Sequence, residues 1–502
     1  MRDIRFQKRL SILFIIQILL FSCGDRADYT DLDSSSLIII GQGPGDSLNY
    51  TSVAMDPSGD GEISGIDLVE LRAASQNGWL MLYFKISSEI VLQRGNALSL
   101  LIDGDNNSGT GYQQNGIGAE LRWDFGTRQG YWYGPTGDSV LIDQTNFAIR
   151  TAPTFSGTEF EVAISLDSSF DAEIPLFRES EVKIALWDQI PGGDRIPQSG
   201  ALTIRIYPSH KIPVPSIPMA RDDSSHFRIL QHNVLEDGII KRPEYFRNIY
   251  RAVAPDLFLL GEVYQAQPEE VLRLIEDWLP LDVEGQRWSA IRHQDGSMVV
   301  SRYPIEQVEL SIPSTGDGFM IQLPPPWTTA LLVVHAWAAC CDQDSLRQEH
   351  CDQIMANIRD LKLNDITADT PIILAGDFNL VTWRQHYNTL RNGAIHDTTQ
   401  FGPSFDPDSY AGSFVDLNPR LLTRPMDYTW RNDKIGFAPG RLDYIFYTGS
   451  SLGAGNNYIY EDEELPDSVL SFFNLKEGDA ARASDHLPLV ADFYPIIDPP
   501  GR

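Results

Sequence analysis

The chain has 502 residues, more than one hydrophobic core usually serves, so two domains and a targeting segment are expected. Hydrophobic residues at 42% and aromatics at 10% exclude an intrinsically disordered chain. A formal net charge of −30 argues against a dedicated binder of long polyanions, and leaves room for a small phosphorylated substrate whose charge a metal neutralises.

Residues 1–22 read as an export signal. Arg2, Arg5, Lys8 and Arg9 form a basic start, Leu10 to Phe21 is almost wholly apolar, and Leu20-Phe21-Ser22-Cys23 ends it. An apolar run this short does not span a bilayer, which takes roughly 20 residues. The segment resembles a bacterial lipoprotein signal, which implies lipidation at Cys23, a tether over 23–37, and a protein held through acyl chains to the cell envelope, periplasmic or on the outer-membrane surface.

From 38 to 208 the pattern is strand-like, with Gly, Asn, Asp and Ser between the runs, and an all-β sandwich is expected. Trp79–Ile86, Leu98–Ile102, Phe160–Leu166 and Val182–Trp187 are the clearest strands. Asp103, Asp105 and Asn107 alternate directly after one of them, as in oxygen-ligand loops for structural Ca²⁺, and a second acidic loop holds Asp56 and Asp60. An EF-hand is excluded, because no glutamate stands at the twelfth position; a plain Asx-rich turn is the competing reading. Trp79, Trp123, Tyr131, Trp132 and Tyr133 form either a glycan-stacking face or, more commonly for such residues, sandwich core. Prolines 208, 213, 215 and 218 mark a stiff linker over 209–225.

Over 226–494 apolar strands alternate with helical stretches (245–254, 268–278 and 345–361), the mark of an α/β layered domain. Polar groups stand at the strand ends: Asn233 after Arg228-Ile-Leu-Gln-His, Glu262 after Leu-Leu-Gly, and His335 after Val-Val. Asp377 and Asn379 lie in Gly-Asp-Phe-Asn, Asp443 in Arg-Leu-Asp, and Asp485 and His486 in Ser-Asp-His. Strand ends are where such domains place their chemistry. Any one of these residues alone is usually structural; the ordered set is not.

The set resembles the endonuclease/exonuclease/phosphatase superfamily, which includes DNase-type nucleases, abasic-site endonucleases, bacterial sphingomyelinases and inositol-polyphosphate 5-phosphatases. Gly376–Asn379 and Ser484–His486 carry most of the likeness, with Ser301–Ile305 and the Cys340-Cys341 … Arg347-Gln348 stretch in support. The resemblance implies a four-layer α/β sandwich with two central, mostly antiparallel sheets. It implies Mg²⁺ or Mn²⁺ held by Glu262, Asn233 and Asp485, and oriented water or phosphate oxygen at Asn379. It also implies phosphate contacts from His335 and His486, with Asp443 orienting His486. Either Asp377 or His486 acts as base. Two departures stand out. Gly261 replaces the glutamine many members carry before the metal glutamate, which loosens the support of Glu262, and Ala336-Trp337 replaces leucine after His335.

The expected activity is Mg²⁺-dependent hydrolysis of phosphate esters at the cell envelope. The alternatives are a nuclease acting on extracellular nucleic acid and a non-catalytic glycan-binding lipoprotein. The domain's acidity and the lack of a sequence cluster more basic than Lys241-Arg242 disfavour duplex DNA. Phe472–Leu475 is the one candidate for a membrane-inserting hairpin, and Cys340 or Cys341 could bridge to Cys351.

Overall fold

Why the strand Trp79–Ile90 opens on an unbroken apolar run, residues 79–84, becomes clear from its two faces. Leu80, Leu82 and Phe84 point into the sandwich core, whereas Met81 and Tyr83 join the core of the C-terminal half. A strand buried on both sides loses the apolar–polar alternation of a half-exposed one. The computed structural model describes residues 37–43, 49–61, 65–170, 174–206, 216–293 and 296–496. The signal segment, Cys23, nearly all of the tether and residues 209–215 of the linker lie outside them. No helix among the described residues is long and apolar enough to cross a membrane.

The N-terminal half is all β. A five-stranded sheet runs in the order Ser52–Met55, Leu68–Gln76, Trp79–Ile90, Gly157–Ser165, Arg150–Ala152. A seven-stranded sheet faces it, centred on Glu181–Asp188, Leu98–Asp103 and Leu121–Asp124. Leu71, Phe84, Phe160, Leu100, Ile102 and Ile184 fill the space between. Trp123 and Trp132 belong to that core at 2% and 4% exposure, and Trp79 packs against the neighbouring core. This corrects the five-aromatic stacking face, since only Tyr131 and Tyr133 of the set lie outside the cores.

The C-terminal half has two six-stranded sheets built alike. One runs Ser289–Arg292, Met298–Ser301, Leu257–Gly261, Phe227–Asn233, Leu489–Pro495, Leu452–Ile459. The other runs Ile305–Val308, Gly316–Ile321, Leu331–Ala336, Ile372–Asp377, Asp443–Tyr447, Val415–Asp416. Each has one parallel pair, Phe227–Asn233 with Leu257–Gly261 and Leu331–Ala336 with Ile372–Asp377, among antiparallel neighbours. Side chains alternate across the second sheet. Val333, Ile373 and Ile445 face the first sheet, while Leu332, Val334 and Leu374 pack with Ile354, Met355 and Ile358 of the helix Asp344–Asn364. The helices Pro243–Val253 and Pro268–Trp278 bury Phe246, Ile249, Tyr250 and Ile275 in the same core as the first sheet. The layers are thus helix, sheet, sheet, helix.

The halves join directly. Phe155 stacks on Tyr387 at 5.0 Å, Ser156 N–H donates to Thr382 O at 2.7 Å, and the Thr154 hydroxyl donates to Leu380 O at 2.5 Å. These contacts grip the segment that follows Asn379. Two expectations are corrected here. Cys351 is fully buried and the three cysteines are free; Cys340 and Cys341 are exposed, with their sulfurs 2.7 Å apart. The 472–475 region is not a hairpin, because Asp467–Phe473 is a helix closed by Asn474 in the left-handed conformation.

Candidate active site

Register brings the site together. Asn233 and Gly261 are partners at the end of one parallel pair, so the Asn233 side chain and the next residue, Glu262, emerge side by side. Asp377 and Asp443 are partners across the antiparallel edge of the other sheet. The segment carrying Asp485 and His486 leads into Leu489–Pro495, where Leu489 pairs with Gln231 two residues before Asn233.

Asn233 links the two sheets. Its amide donates to Glu262 Oε1 at 3.0 Å and to Asp377 Oδ2 at 3.1 Å. The other Glu262 oxygen accepts from Glu236 N–H at 3.0 Å. Asp377 Oδ1 accepts from Asn379 N–H at 3.2 Å, and the Asn379 amide donates to Ala338 O at 3.0 Å. His486 lies between two carboxylates. Its Nδ1 is 2.8 Å from Asp443 Oδ2, and its Nε2 is 3.7 Å from Asp377 Oδ2. Leu235, Glu236, Asp237, Glu262 and Asn379 all have positive φ without being glycine. Such conformations cost energy and concentrate where side chains must be aimed at a site.

Burial sets the electrostatics. It pushes the Asp377 carboxyl up to about 7, with Asp443 adding to the rise and His486 opposing it. For His486, burial disfavours the charge, but Asp443 and Asp377 outweigh it and raise the imidazole to about 10. The two flanking carboxylates thus favour the imidazolium form of His486, and burial favours the protonated form of Asp377.

Not every residue singled out in the sequence joins this network in the same way. Asp485, next to His486 in the chain, lines an adjoining cleft with Leu235 and Arg242. One of its oxygens accepts from the Trp430 indole at 3.2 Å, while Oδ1 is buried without a hydrogen-bond partner. His335 is 2% exposed and pairs in register with Ala375, two residues short of Asp377. In the sandwich, Asn107 turns its side-chain oxygen to Gly109 N–H, and Asp103 and Asp105 instead gather with Glu120.

Sequence reasoning missed the residues that hold the site in place. Thr429 donates to Asp443 Oδ2 at 2.7 Å and its hydroxyl accepts from Asp443 N–H at 3.0 Å. Gln231 donates to the other Asp443 oxygen at 3.0 Å. Ser484 donates to Asn233 O at 2.8 Å and accepts from His486 N–H at 3.1 Å. Gln231 and Ser484 lay inside the motifs and could have been flagged as polar residues on buried strand ends; Thr429 had no signal at all. A cleft of about 420 Å³ opens beside Asp485, lined by Arg242, Arg431, Lys434 and Arg482 and by Asp433, Glu461 and Glu463. Arg431 is tied to Asp433 and Glu463, so the cleft is not net basic.

The model of the "Endonuclease/Exonuclease/phosphatase family" matches residues 230–486, just over half of the chain and the whole of this network. The chain belongs to that family. Solved structures similar to this family member include the human Nocturnin catalytic domain with bound sulfate anion, at 16% identity and TM-score 0.34, covering 55% of this chain and 96% of that one. ANGEL2, a 2′,3′-cyclic phosphatase, in complex with adenosine-2′,3′-vanadate is similar at 16% identity and TM-score 0.37, covering 55% and 97%. The AP endonuclease LMAP from Leishmania major is similar at 16% identity and TM-score 0.34, covering 56% and 93%. None of the curated proteins matches the chain.

Proposed function

We propose that the protein is a Mg²⁺- or Mn²⁺-dependent hydrolase of phosphate esters, of phosphodiesterase or phosphatase type, acting at the cell envelope from a lipid anchor on Cys23. The observation that carries the catalytic reading is the continuous chain Glu262–Asn233–Asp377–His486–Asp443, assembled from both sheets.

The residues suit a hard divalent cation. Glu262, Asp485 and the Asn233 carboxamide offer oxygen donors, and Asp485 Oδ1 is buried with no hydrogen-bond partner. When bound, such a cation would neutralise phosphate charge and polarise a phosphate oxygen. Asp377 takes the proton of the attacking water, because its oxygen lies in the network and its carboxyl titrates near neutrality. Asn379, fixed by Ala338 O, orients that water or a phosphate oxygen. His486 donates to a phosphate oxygen and supports charge built up in the transition state, and Asp443 holds its ring in one orientation. His335 supplies a second contact. The reverse assignment, with His486 as base, needs a neutral imidazole. The two carboxylates flanking the ring oppose that form at neutral pH, which favours Asp377.

The acidic residues that counter the cations of the adjoining cleft favour a small phosphate ester over duplex DNA. The test is hydrolysis of bis-p-nitrophenyl phosphate with Mg²⁺ or Mn²⁺, with and without EDTA. Asp377→Ala and His486→Ala are each expected to lower the rate by about 10²–10⁴-fold, and EDTA to abolish it. Undiminished turnover in either variant refutes the roles assigned. A panel of DNA, sphingomyelin, inositol phosphates and nucleotides then identifies the substrate class.

A further inference from the structure

We propose that Asp103, Asp105 and Glu120 form a Ca²⁺ site that pins the loop from Asp103 to Thr110 onto the β-sandwich. Asp103 ends the strand Leu98–Asp103, and Glu120 lies on the segment joining the short strand Ile117–Ala119 to Leu121–Asp124. One oxygen from each of the three residues lies within 4.8 Å of the others. That fits the span a single Ca²⁺ ion bridges, about twice its 2.3–2.6 Å bond length.

The second observation is what these carboxylates lack. Asp103 is fully buried and Glu120 is 2% exposed. Asp103 Oδ1 accepts from Asn107 N–H at 3.0 Å, and Glu120 Oε2 accepts from Gly104 N–H at 2.8 Å. Their other oxygens, Asp103 Oδ2 and Glu120 Oε1, are buried and have no hydrogen-bond partner. Leaving such atoms unpaired is costly, more so when they are charged, unless something meets them. Arg178 lies 3.5 Å from Asp105 and Lys183 is the register partner of Asp103, so two cations serve three carboxylates, and Asp105 is further engaged by the Thr110 hydroxyl at 3.1 Å.

Sequence spacing misses this set because Glu120 arrives from 15 residues beyond Asp105, outside any loop consensus. The site is far from a family role, since it uses no residue of the hydrolase network. Its oxygens are all hard donors, and three carboxylates suit the larger, flexibly coordinated Ca²⁺.

The experiment uses the full chain, freed of metal with EDTA and kept in millimolar Mg²⁺ so that the hydrolase site is occupied. Terbium is the probe, sensitised by Trp132, whose ring lies 5.8 Å from the Arg178 guanidinium that contacts Asp105. The expected result is tryptophan-sensitised Tb³⁺ emission displaced by Ca²⁺, together with a Ca²⁺-dependent rise in Tm. Glu120→Gln and the part-exposed Asp105→Asn should each weaken Ca²⁺ by at least tenfold, whereas Glu262→Gln should leave it unchanged. No displaceable emission and no Tm rise in the wild-type chain would overturn the proposal. So would full affinity in Asp105→Asn, or loss of affinity in Glu262→Gln, which would place the ion in the hydrolase half. Should Glu120→Gln not fold, Asp105→Asn and the wild-type titration decide alone.

Discussion

Two glycines precede the two central acids, and they are not equivalent. Gly376 has a φ of +154°, and a Cβ there would lie 1.7 Å from Ala336 O. No side chain fits, and the strand must pass this close for Asp377 to reach its partners. Gly261 is different: a Cβ would sit 3.5 Å from the Asn233 Cα, ordinary contact. The sequence suggested that Gly261 loosens Glu262, but the Asn233 amide and Glu236 N–H hold both oxygens of that carboxylate. Gly376→Ala is therefore expected to abolish hydrolysis and to destabilise the fold by about 3 kcal/mol. Gly261→Ala is expected to keep both activity and Tm close to wild type. Thermal melts and initial rates on the two purified variants check this, and equal damage from both would refute it.

The helix Asp344–Asn364 shows what an element contributes beyond its apolar face. Alongside Ile354, Met355 and Ile358 it buries Arg347, Gln348, Asp352 and Asn357. Arg347 is fully buried and donates to Ala339 O and Cys341 O, each at 2.7 Å. Those carbonyls directly follow Ala338, whose O accepts from Asn379. A helix on the outer layer thus anchors a site residue through one side chain. Arg347→Met keeps much of the volume and leaves buried acceptors unmatched, so a loss of about 3–5 kcal/mol is expected, read as a lowered Tm. A greater loss of rate than of folded protein, measured under conditions where the variant is folded, would confirm the effect on Asn379. An unchanged rate would limit Arg347 to stability. The helix was legible as 345–361, but a buried arginine on it was not, because a charged residue in a polar-rich helix reads as solvated surface.

For the whole molecule, the contact between the halves is the decisive feature. Glu161, on the strand Gly157–Ser165, is buried where the halves meet: the N–H groups of Gly41 and Gly43 donate to its Oε2 at 2.7 and 3.3 Å, and the neighbouring Ile40 N–H donates to Pro425 O of the C-terminal half at 3.0 Å. Burial, aided by Asp427 and opposed by the Gly41 N–H, raises its carboxyl to about 7 from the ordinary 4.5. A raised acid binds its proton more tightly in the folded state. Stability from this group is therefore greatest below about pH 4.5 and is lost as pH climbs through 7. Glu161→Gln should stabilise the fold relative to wild type at pH 8 by on the order of 2 kcal/mol, read as a raised Tm, and change it little at pH 5. A variant-minus-wild-type difference that does not grow with pH contradicts the assignment.

Residue types and their periodicity alone determined a sandwich followed by an α/β domain and set acids and histidines at strand ends, and the order of short motifs carried the resemblance to the family. These are local properties: alternation, strand-end position and motif order survive in the unfolded chain. Tertiary structure alone decided that Asn233 bridges Glu262 and Asp377, that Thr429 and Gln231 hold Asp443, that Trp123 and Trp132 are core, and that Glu120 rather than Asn107 completes the acidic cluster. Each of these depends on strand register and on which face of a sheet is covered. A one-residue slip reverses a strand's faces, and contacts between residues from 14 to 212 positions apart leave no imprint on local pattern.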